Sequence, residues 1–179
     1  AAMKKFQVKK GFRLELAAAE PLVASPIAMA FDENGRLFVV EMRDYPLRTK
    51  QPLGKIKLLT DTDGDGRFDK ATVFADGLPW PTGVIWANGG VFVAASPDIL
   101  FFKDKDGDGK ADIRNPLFTG FRQGNQQHRV NGFDYGLDNW IYGANGRSDG
   151  LIRRPDDPPE KAVSIRGRDF RFTPDGRQF

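Results

Sequence analysis

Residues 27–40 read IAMAFDENGRLFVV, two apolar runs joined by a short polar turn. The Asn34-Gly35 pair at the centre favours a tight turn between antiparallel strands, because both residues tolerate a positive φ. This stretch therefore predicts a β-hairpin.

The same hairpin pattern returns at residues 83–95 and again at residues 132–143. Two further short apolar segments follow each hairpin. They are residues 55–60 and 71–75, then 99–103 and 116–119, then 151–153 and 162–166. A unit of four short antiparallel strands that recurs every ~40–55 residues is typical of a β-propeller blade.

The repeat predicts an all-β fold with about three blades and the start of a fourth. A β-sandwich is the alternative, since it also has short strands and frequent turns. A closed ring needs more sequence than three blades, so we expect the chain to be part of a longer protein. The predicted boundaries are a lead-in segment 1–25 and a partial propeller 26–179, with blades at 26–76, 82–120 and 131–166 and the next blade starting at 168–179.

The composition excludes several classes of protein. Hydrophobic residues make up 40% of the 179, which excludes a disordered chain. The absence of Cys excludes disulfides, cysteine-based metal sites and an attached c-type haem. The net charge of +3 comes from interspersed charges, so no nucleic-acid partner is expected. The apolar stretch 16–31 is interrupted by charge and proline, and no membrane span is expected.

Two acidic loops link the third and fourth predicted strands of the first two units. They read DTDGDGRFD at 61–69 and DKDGDGKAD at 104–112. Carboxylates at positions 1, 3 and 5 followed by Gly at position 6 form the front half of a calcium loop. The alternative is a pair of turns that bind no ion. Four like charges in nine residues repel each other without a cation, which favours calcium.

We therefore predict two calcium sites. Thr72 and Asn115 stand at position 12, where an EF-hand has Glu, so the Asp at position 9 is the expected further ligand. The corresponding stretch of the third unit, expected at 154–159, lacks this spacing. The predicted ligands are Asp61, Asp63, Asp65, the carbonyl of Arg67 and Asp69, then Asp104, Asp106, Asp108, the carbonyl of Lys110 and Asp112.

Alternating strand direction places the acidic loops at the end of the blades opposite His128, so the calcium is expected to be structural. His128 is the single histidine of the chain and is a candidate general base. An ordinary structural histidine is the alternative. The polar loops expected beside it suit an anionic ligand or cofactor, and they span 41–45, 96–97, 122, 126–131 and 145–149.

Several motifs also resemble a known family, the membrane-bound dehydrogenase domain of planctomycete and verrucomicrobial type. The resemblance runs from about residue 11 to the end of the chain. Its most specific motifs are FVVEMRDYP at 38–46 and QQHRVNG at 126–132. The other matching stretches are 11–12, 19–22, 61–69 and 74–78.

That family is similar to the soluble pyrroloquinoline-quinone (PQQ) glucose and aldose sugar dehydrogenases, which are six-bladed propellers. The resemblance implies that His128 is the catalytic base, taking the hydroxyl proton of a sugar or alcohol while hydride passes to the quinone. The sugar dehydrogenases have an Asp before this His, and here Gln127 replaces it. Candidate cofactor-binding residues at the same end are Gln127, Arg129, Asn131, Arg43 and Arg147.

The resemblance further implies a periplasmic, secreted or cell-envelope protein, and an electron-accepting cytochrome c domain or subunit as partner. Two other functions remain open. One is a non-catalytic propeller that binds carbohydrate or protein. The other is a structural subunit of a membrane-associated redox complex. Gln127 favours these two, whereas His128 and the nearby arginines favour the enzyme.

Overall fold

A computed structural model describes residues 2–46 and 51–179. Residue 1 of the predicted lead-in and residues 47–50 of the predicted first blade lie outside the described residues. The described residues form thirteen strands, all paired antiparallel, and three short 3-10 helices at Ala2–Lys5, Gln126–His128 and Pro159–Lys161. None of these helices is long and apolar enough to cross a membrane. The prediction of an all-β fold is confirmed.

The first sheet is a four-stranded meander in chain order. Its strands are β1 (Pro26–Phe31), β2 (Leu37–Glu41), β3 (Gly54–Thr60) and β4 (Lys70–Leu78). Every residue of β2 is buried, because apolar side chains cover both faces of this inner strand. The predicted hairpin at 27–40 is β1 and β2, with Phe31 opposite Leu37.

The second sheet repeats this order with β5 (Gly83–Ala87), β6 (Gly90–Ala95), β7 (Asp98–Lys103) and β8 (Ile113–Phe121). Its first turn consists of Asn88 and Gly89, with φ of 55° and 69°. A two-residue turn with both φ values positive matches the right-handed twist of the flanking strands, and Asn-Gly adopts it at low cost.

The third unit is paired differently from the expectation. Its strands are β9 (Asn131–Tyr135), β10 (Ile141–Ala144), β11 (Gly150–Arg153), β12 (Val163–Ser164) and β13 (Phe170–Phe172). β11 pairs with β8, whereas the repeat predicts that it pairs with β10. β12 in turn pairs with β11, so the second sheet has six strands. β13 pairs with β10 as the third strand of the third sheet. The expected pairing within a 131–166 blade, followed by a new blade from 168, thus differs from the observed one: β11 and β12 extend the second sheet, and β13 completes the third.

Two local features explain the altered pairing. Gly120 in β8 has a φ of 107°, and a Cβ there would lie 2.0 Å from the carbonyl oxygen of Leu151. The absence of this Cβ lets β11 approach the open edge of β8. In addition, Phe170 and Phe172 of β13 are buried in the core between the second and third sheets. Burying each aromatic ring contributes about 2 kcal/mol relative to leaving it exposed, which favours this position of β13.

The three sheets pack side by side around their first strands, with β5 in contact with β1 on one side and β9 on the other. One core lies between the first and second sheets and another between the second and third. Thr82 and Tyr135 join neighbouring units, since the Thr82 hydroxyl donates to the Val130 carbonyl and the Tyr135 hydroxyl donates to the Trp86 carbonyl. The described residues thus form successive blades of a β-propeller.

Candidate functional site

The strand register separates two ends of the blades. Leu37, Leu59 and Ala71 are paired in a row across the first sheet, so the β1–β2 and β3–β4 connections lie at one end. The β2–β3 connection and the exit from β4 lie at the other. We call the first of these the acidic end, because it carries the loops 61–69 and 104–112. We call the second the His128 end. The predicted separation of the acidic loops from His128 is confirmed.

The first acidic loop is curled around the carboxylate of Asp61. Asp61 accepts hydrogen bonds from the backbone N–H of Gly64 at 2.7 Å and of Gly66 at 2.9 Å. Asp65 accepts from the N–H of Arg67 at 2.8 Å. One carboxylate oxygen from each of Asp61, Asp63 and Asp65 lies within 4.8 Å of the others. Gly66 makes the bend possible with a φ of 88°.

The second acidic loop has the same geometry. Asp104 accepts from Gly107 at 2.7 Å and from Gly109 at 2.9 Å. Asp108 accepts from the N–H of Lys110 at 2.8 Å. The carboxylates of Asp104, Asp106 and Asp108 again lie within 4.8 Å of one another. Two loops of different sequence therefore adopt one conformation.

Backbone donors favour the charged form of the carboxylate at position 1. The pKa of Asp61 is lowered, chiefly by the hydrogen bond from Gly66. Burial raises the pKa of Asp104, but hydrogen bonds from Gly109 and Gly107 outweigh this and lower it overall. Ionised carboxylate oxygens in a tight group are the ligands that Ca²⁺ prefers. The donor sets therefore fit calcium.

The carboxylates at position 9 make contacts of their own. Asp69 accepts from the N–H of Thr62 at 3.1 Å and from its hydroxyl at 2.5 Å. Asp112 accepts from the N–H of Lys105 at 2.6 Å. These bonds close the base of each loop beside the three grouped carboxylates.

The third sheet has a different turn at the position of the acidic loops. Because β13 is its third strand, this position is residues 173–178, not 154–159 as expected. Thr173 donates from its hydroxyl to Asp175 at 2.5 Å, and Asp175 accepts from the N–H of Arg177 at 3.0 Å. The hydrogen bond from Thr173 is also the main reason that the pKa of Asp175 is lowered. This turn has a single carboxylate and no grouped set.

His128 is half-buried at the end of the 3-10 helix Gln126–His128. Asn125 caps this helix, accepting from the N–H of Gln127 at 2.9 Å. The His128 carbonyl accepts a hydrogen bond from the Ser148 hydroxyl, which ties the β10–β11 connection to the helix. Within the described part of the chain, neither the His128 imidazole nor the Gln127 side chain forms a hydrogen bond.

The five candidate cofactor-binding residues divide into two groups. Arg129 is buried, and Asn131 donates to the Arg129 carbonyl at 2.9 Å, so both form part of the local framework. Arg43, Arg147 and Gln127 are exposed at the His128 end. These three residues are open to solvent.

A polar cavity of about 460 Å³ opens at the same end, between the first and second sheets. We call it the Asp44 cavity. Its lining residues come from the connections after β2, β4 and β8. They are Asp44, Pro52, Pro79, Trp80, Gln123, Gly124 and Arg129.

One known protein family matches the whole sequence. The model described as "Domain of unknown function (DUF7133)" matches residues 1–179. The chain belongs to this family. A comparison of the DUF7133 chain with curated proteins gives no match.

One similar solved structure is a "putative oxidoreductase (glucose dehydrogenase)" from Thermus thermophilus. It shares 18% sequence identity with the DUF7133 chain, with a TM-score of 0.48. The similarity covers 74% of the DUF7133 chain and 43% of the other chain. The DUF7133 chain thus spans less than half the length of that relative.

Sequence reasoning missed two main features of this DUF7133 site. The sequence places Asp44 in a polar loop with no sign that it is buried, and Trp80 is not among the predicted site residues. The signal for Trp80 is its setting between Pro79 and Pro81, at the exit from a strand. Proline on both sides restricts the backbone at such a position, and the Trp80 ring packs against Tyr45 and Arg129.

Proposed function

We propose that this chain is a calcium-stabilised β-propeller domain of a dehydrogenase-like protein, in which the His128 end binds a quinone cofactor and a hydroxyl substrate. The observation that carries the proposal is that His128 and the exposed Arg43 and Arg147 lie at one end of the blades, opposite two acidic loops of matching geometry. In this arrangement calcium stabilises the scaffold, and the chemistry takes place at the other end.

Calcium would be held by Asp61, Asp63 and Asp65 in one loop and by Asp104, Asp106 and Asp108 in the other. The carbonyls of Arg67 and Lys110 and the carboxylates of Asp69 and Asp112 are the proposed additional ligands. The fit rests on hard oxygen donors grouped within 4.8 Å in both loops. An ion in each loop would offset the repulsion among its carboxylates.

The exposed side chains at the His128 end fit an anionic quinone such as PQQ. Arg43 and Arg147 carry positive charge that can pair with carboxylate groups, and the amide of Gln127 can donate a hydrogen bond. Arg129 and Asn131 would support this surface from below through their mutual hydrogen bond. When bound, the quinone supplies the acceptor for a hydride.

His128 would hold the proton in the proposed reaction. A neutral imidazole nitrogen can accept the proton of a substrate hydroxyl near neutral pH. The hydrogen bond from Ser148 to the His128 carbonyl positions the backbone and leaves the ring accessible. Gln127 precedes His128 where the sugar dehydrogenases have an Asp, and its neutral amide provides no charge to stabilise an imidazolium.

The proposal also includes the context of the domain. The resemblance to membrane-bound dehydrogenase domains supports a cell-envelope location, periplasmic or secreted. It also supports a cytochrome c domain or subunit as electron acceptor. The substrate class that follows is a sugar or an alcohol.

Reconstitution tests the enzyme directly. The full protein is incubated with PQQ and Ca²⁺, and reduction of an artificial electron acceptor is measured with a panel of sugars and alcohols. We expect turnover that His128→Gln abolishes and that Asp175→Asn, at the opposite end, leaves unchanged. Absence of both turnover and a bound-quinone spectrum would rule out the enzyme.

A non-catalytic propeller that binds carbohydrate or protein is the second candidate. The observation that favours it is that, among the described residues, nothing hydrogen-bonds to the His128 imidazole to orient it as a base. Calcium stabilisation would be retained in that case. Ligand binding without turnover in the same reconstitution experiment would select it.

A further inference from the structure

The Asp44 cavity contains a buried carboxylate oxygen without a donor. Asp44 is 5% exposed, and its Oδ2 accepts from the backbone N–H of Leu53 at 3.2 Å. Its Oδ1 is buried and has no hydrogen-bond partner among the described residues. Such an atom carries an uncompensated desolvation cost, and most buried polar atoms in native proteins avoid it.

Arg129 provides a fixed positive charge in the same cavity. It is 6% exposed, and its guanidinium carbon lies 4.5 Å from the centre of the Trp80 ring. Its Nη2 donates to the Gln123 carbonyl at 2.9 Å. The cation–π contact and the hydrogen bond hold the guanidinium in place.

The charges of the cavity restrict what it can bind. Among the described lining residues, Asp44 and Arg129 carry opposite charges, so these residues together contribute no net charge to the cavity. Adding a simple cation or anion would leave one uncompensated charge in a partly buried site, which is costly. An overall neutral molecule with a hydrogen-bond donor avoids this cost and satisfies Oδ1.

Neighbouring buried atoms show that the His128 end is polar below its surface. The Ser96 hydroxyl oxygen and Asn145 Oδ1 are also buried without a described hydrogen-bond partner. Ser96 is connected to the cavity, because Gln123 donates from Nε2 to the Ser96 carbonyl at 2.8 Å. The size also fits, since small-molecule sites occupy roughly 300–1,000 Å³.

We propose that the Asp44 cavity binds a small, overall neutral molecule that donates a hydrogen bond to Asp44 Oδ1. The donor is either a hydroxyl of a polyol or the ammonium group of a zwitterion. Trp80 forms an apolar wall beside the ligand, and Arg129 balances the charge of Asp44. This site requires no quinone and no turnover, although Arg129 also lies beneath the proposed quinone-binding surface.

Trp80 is a natural reporter for the test. Trp86→Phe and Trp140→Phe together leave Trp80 as the single tryptophan, and both sites lie outside the cavity. Its fluorescence is titrated with myo-inositol as the polyol and glycine as the zwitterion. Trimethylglycine is the matched control, since it is zwitterionic but has no N–H or O–H donor. Ethylammonium and acetate test the charged alternatives.

We expect a saturable change in Trp80 fluorescence with inositol, glycine or both, and none with the three control compounds. A response to inositol alone identifies a hydroxyl donor, and a response to glycine alone identifies an ammonium donor. Saturation by ethylammonium or acetate, or no saturation by either neutral donor, would overturn the proposal.

Variants of Asp44 complete the test. Asp44→Leu should weaken binding about tenfold or more, because a hydrogen bond to a charged group is lost. If that variant fails to fold, Asp44→Asn keeps an acceptor for Leu53 and should still weaken binding. Asp149→Asn, at the same end but outside the cavity, is the matched control and should bind normally. Equal affinity in the folded Asp44 variant and the control would contradict the role of Asp44, whatever the result of the quinone assay.

Discussion

Asp61 and Asp104 occupy the same position in neighbouring sheets and make the same hydrogen bonds. Each accepts one backbone N–H at 2.7 Å from the residue three positions on and another at 2.9 Å from the residue five positions on. The backbone thus presents two equivalent groups of three carboxylates. The equivalence leads to a prediction about both loops together.

Calcium should stabilise the protein measurably. A ligand that binds only the folded state at 100 times its Kd adds about 2.7 kcal/mol to the free energy of unfolding. For a chain of this size that corresponds to a rise in Tm of roughly 5–10 °C. Thermal unfolding of chelator-treated protein, with and without Ca²⁺, measures it. An unchanged Tm would mean that the loops are turns that bind no ion.

Asp63 and Asp106 are the best positions to separate the two sites. Each accepts only one long backbone hydrogen bond in its loop, 3.3 Å for Asp63 and 3.2 Å for Asp106, so replacing either should cost little folding energy. Asp63→Asn and Asp106→Asn should each reduce the calcium-dependent rise in Tm, and the double variant should abolish it. Asp175→Asn, in the single-carboxylate turn, is the control. A double variant that still responds fully to Ca²⁺ would place the ion elsewhere.

The β8–β11 pairing depends on Gly120. A Cβ at this position would lie 2.0 Å from the Leu151 carbonyl oxygen, and the φ of 107° is unfavourable for any other residue. Gly120→Ala should therefore destabilise the protein by about 3 kcal/mol or more and release β11 and β12 from the sheet. Denaturant unfolding measures the first effect and amide hydrogen exchange the second.

Gly124→Ala is the matched control, because nothing lies within 4 Å of its added Cβ. The control should unfold at nearly the wild-type denaturant concentration. Normal hydrogen-exchange protection of residues 150–153 in Gly120→Ala would refute the pairing.

The hairpins were predictable from the sequence because their determinants are local. Asn88 and Gly89 carry both positive φ values of their turn, and the flanking residues are apolar. The partner of β11 was not predictable in this way. It depends on the missing side chain of Gly120 and on the burial of Phe170 and Phe172, which become neighbours only in the folded chain.

The candidate sites also divide into one that local sequence predicts and one that depends on tertiary structure. The acidic loops follow from the spacing of Asp and Gly within nine residues. The Asp44 cavity combines three connections distant in sequence, and nothing near Asp44 indicates that one of its oxygens is buried without a donor. Burial of a polar loop residue is a tertiary property, so spacing alone cannot indicate it.

Asp138 lies at the centre of a surface cluster whose contribution to the stability of the protein should depend on pH. It accepts from the Tyr142 hydroxyl at 2.9 Å and pairs with Arg171 at 2.5 Å, and the Arg171 guanidinium stacks 4.4 Å from the centre of the Trp140 ring. Burial raises the pKa of Asp138, but the Tyr142 hydrogen bond and the Trp140 N–H outweigh this and lower it overall. A lowered carboxyl pKa stabilises the folded state above the unfolded value near 4, and the stabilisation is lost as the pH falls through the folded value.

Asp138→Asn should therefore lower the free energy of unfolding near neutral pH, where the wild-type carboxylate stabilises the fold, and should reduce the further loss of stability below about pH 4. Trp140 fluorescence should also change, because Arg171 loses the ion pair with Asp138 that holds its guanidinium over the ring. Tyr142→Phe is the companion variant and should have a smaller effect of the same sign. Identical acid unfolding of wild type and Asp138→Asn would show that the cluster contributes nothing.

The catalytic role proposed for His128 can be tested separately from its contribution to stability. Its described hydrogen bonds involve only its backbone, whose carbonyl accepts from the Ser148 hydroxyl and whose N–H donates to Asn125 at 3.2 Å. His128→Gln should therefore keep the free energy of unfolding within about 0.5 kcal/mol of wild type.

Ser148→Ala removes the donor to the His128 carbonyl and should lower the free energy of unfolding by about 1 kcal/mol. If His128 is the base, only His128→Gln should abolish quinone-dependent turnover, while Ser148→Ala retains part of it. Large destabilisation by His128→Gln together with unchanged activity per folded molecule would make His128 a structural residue.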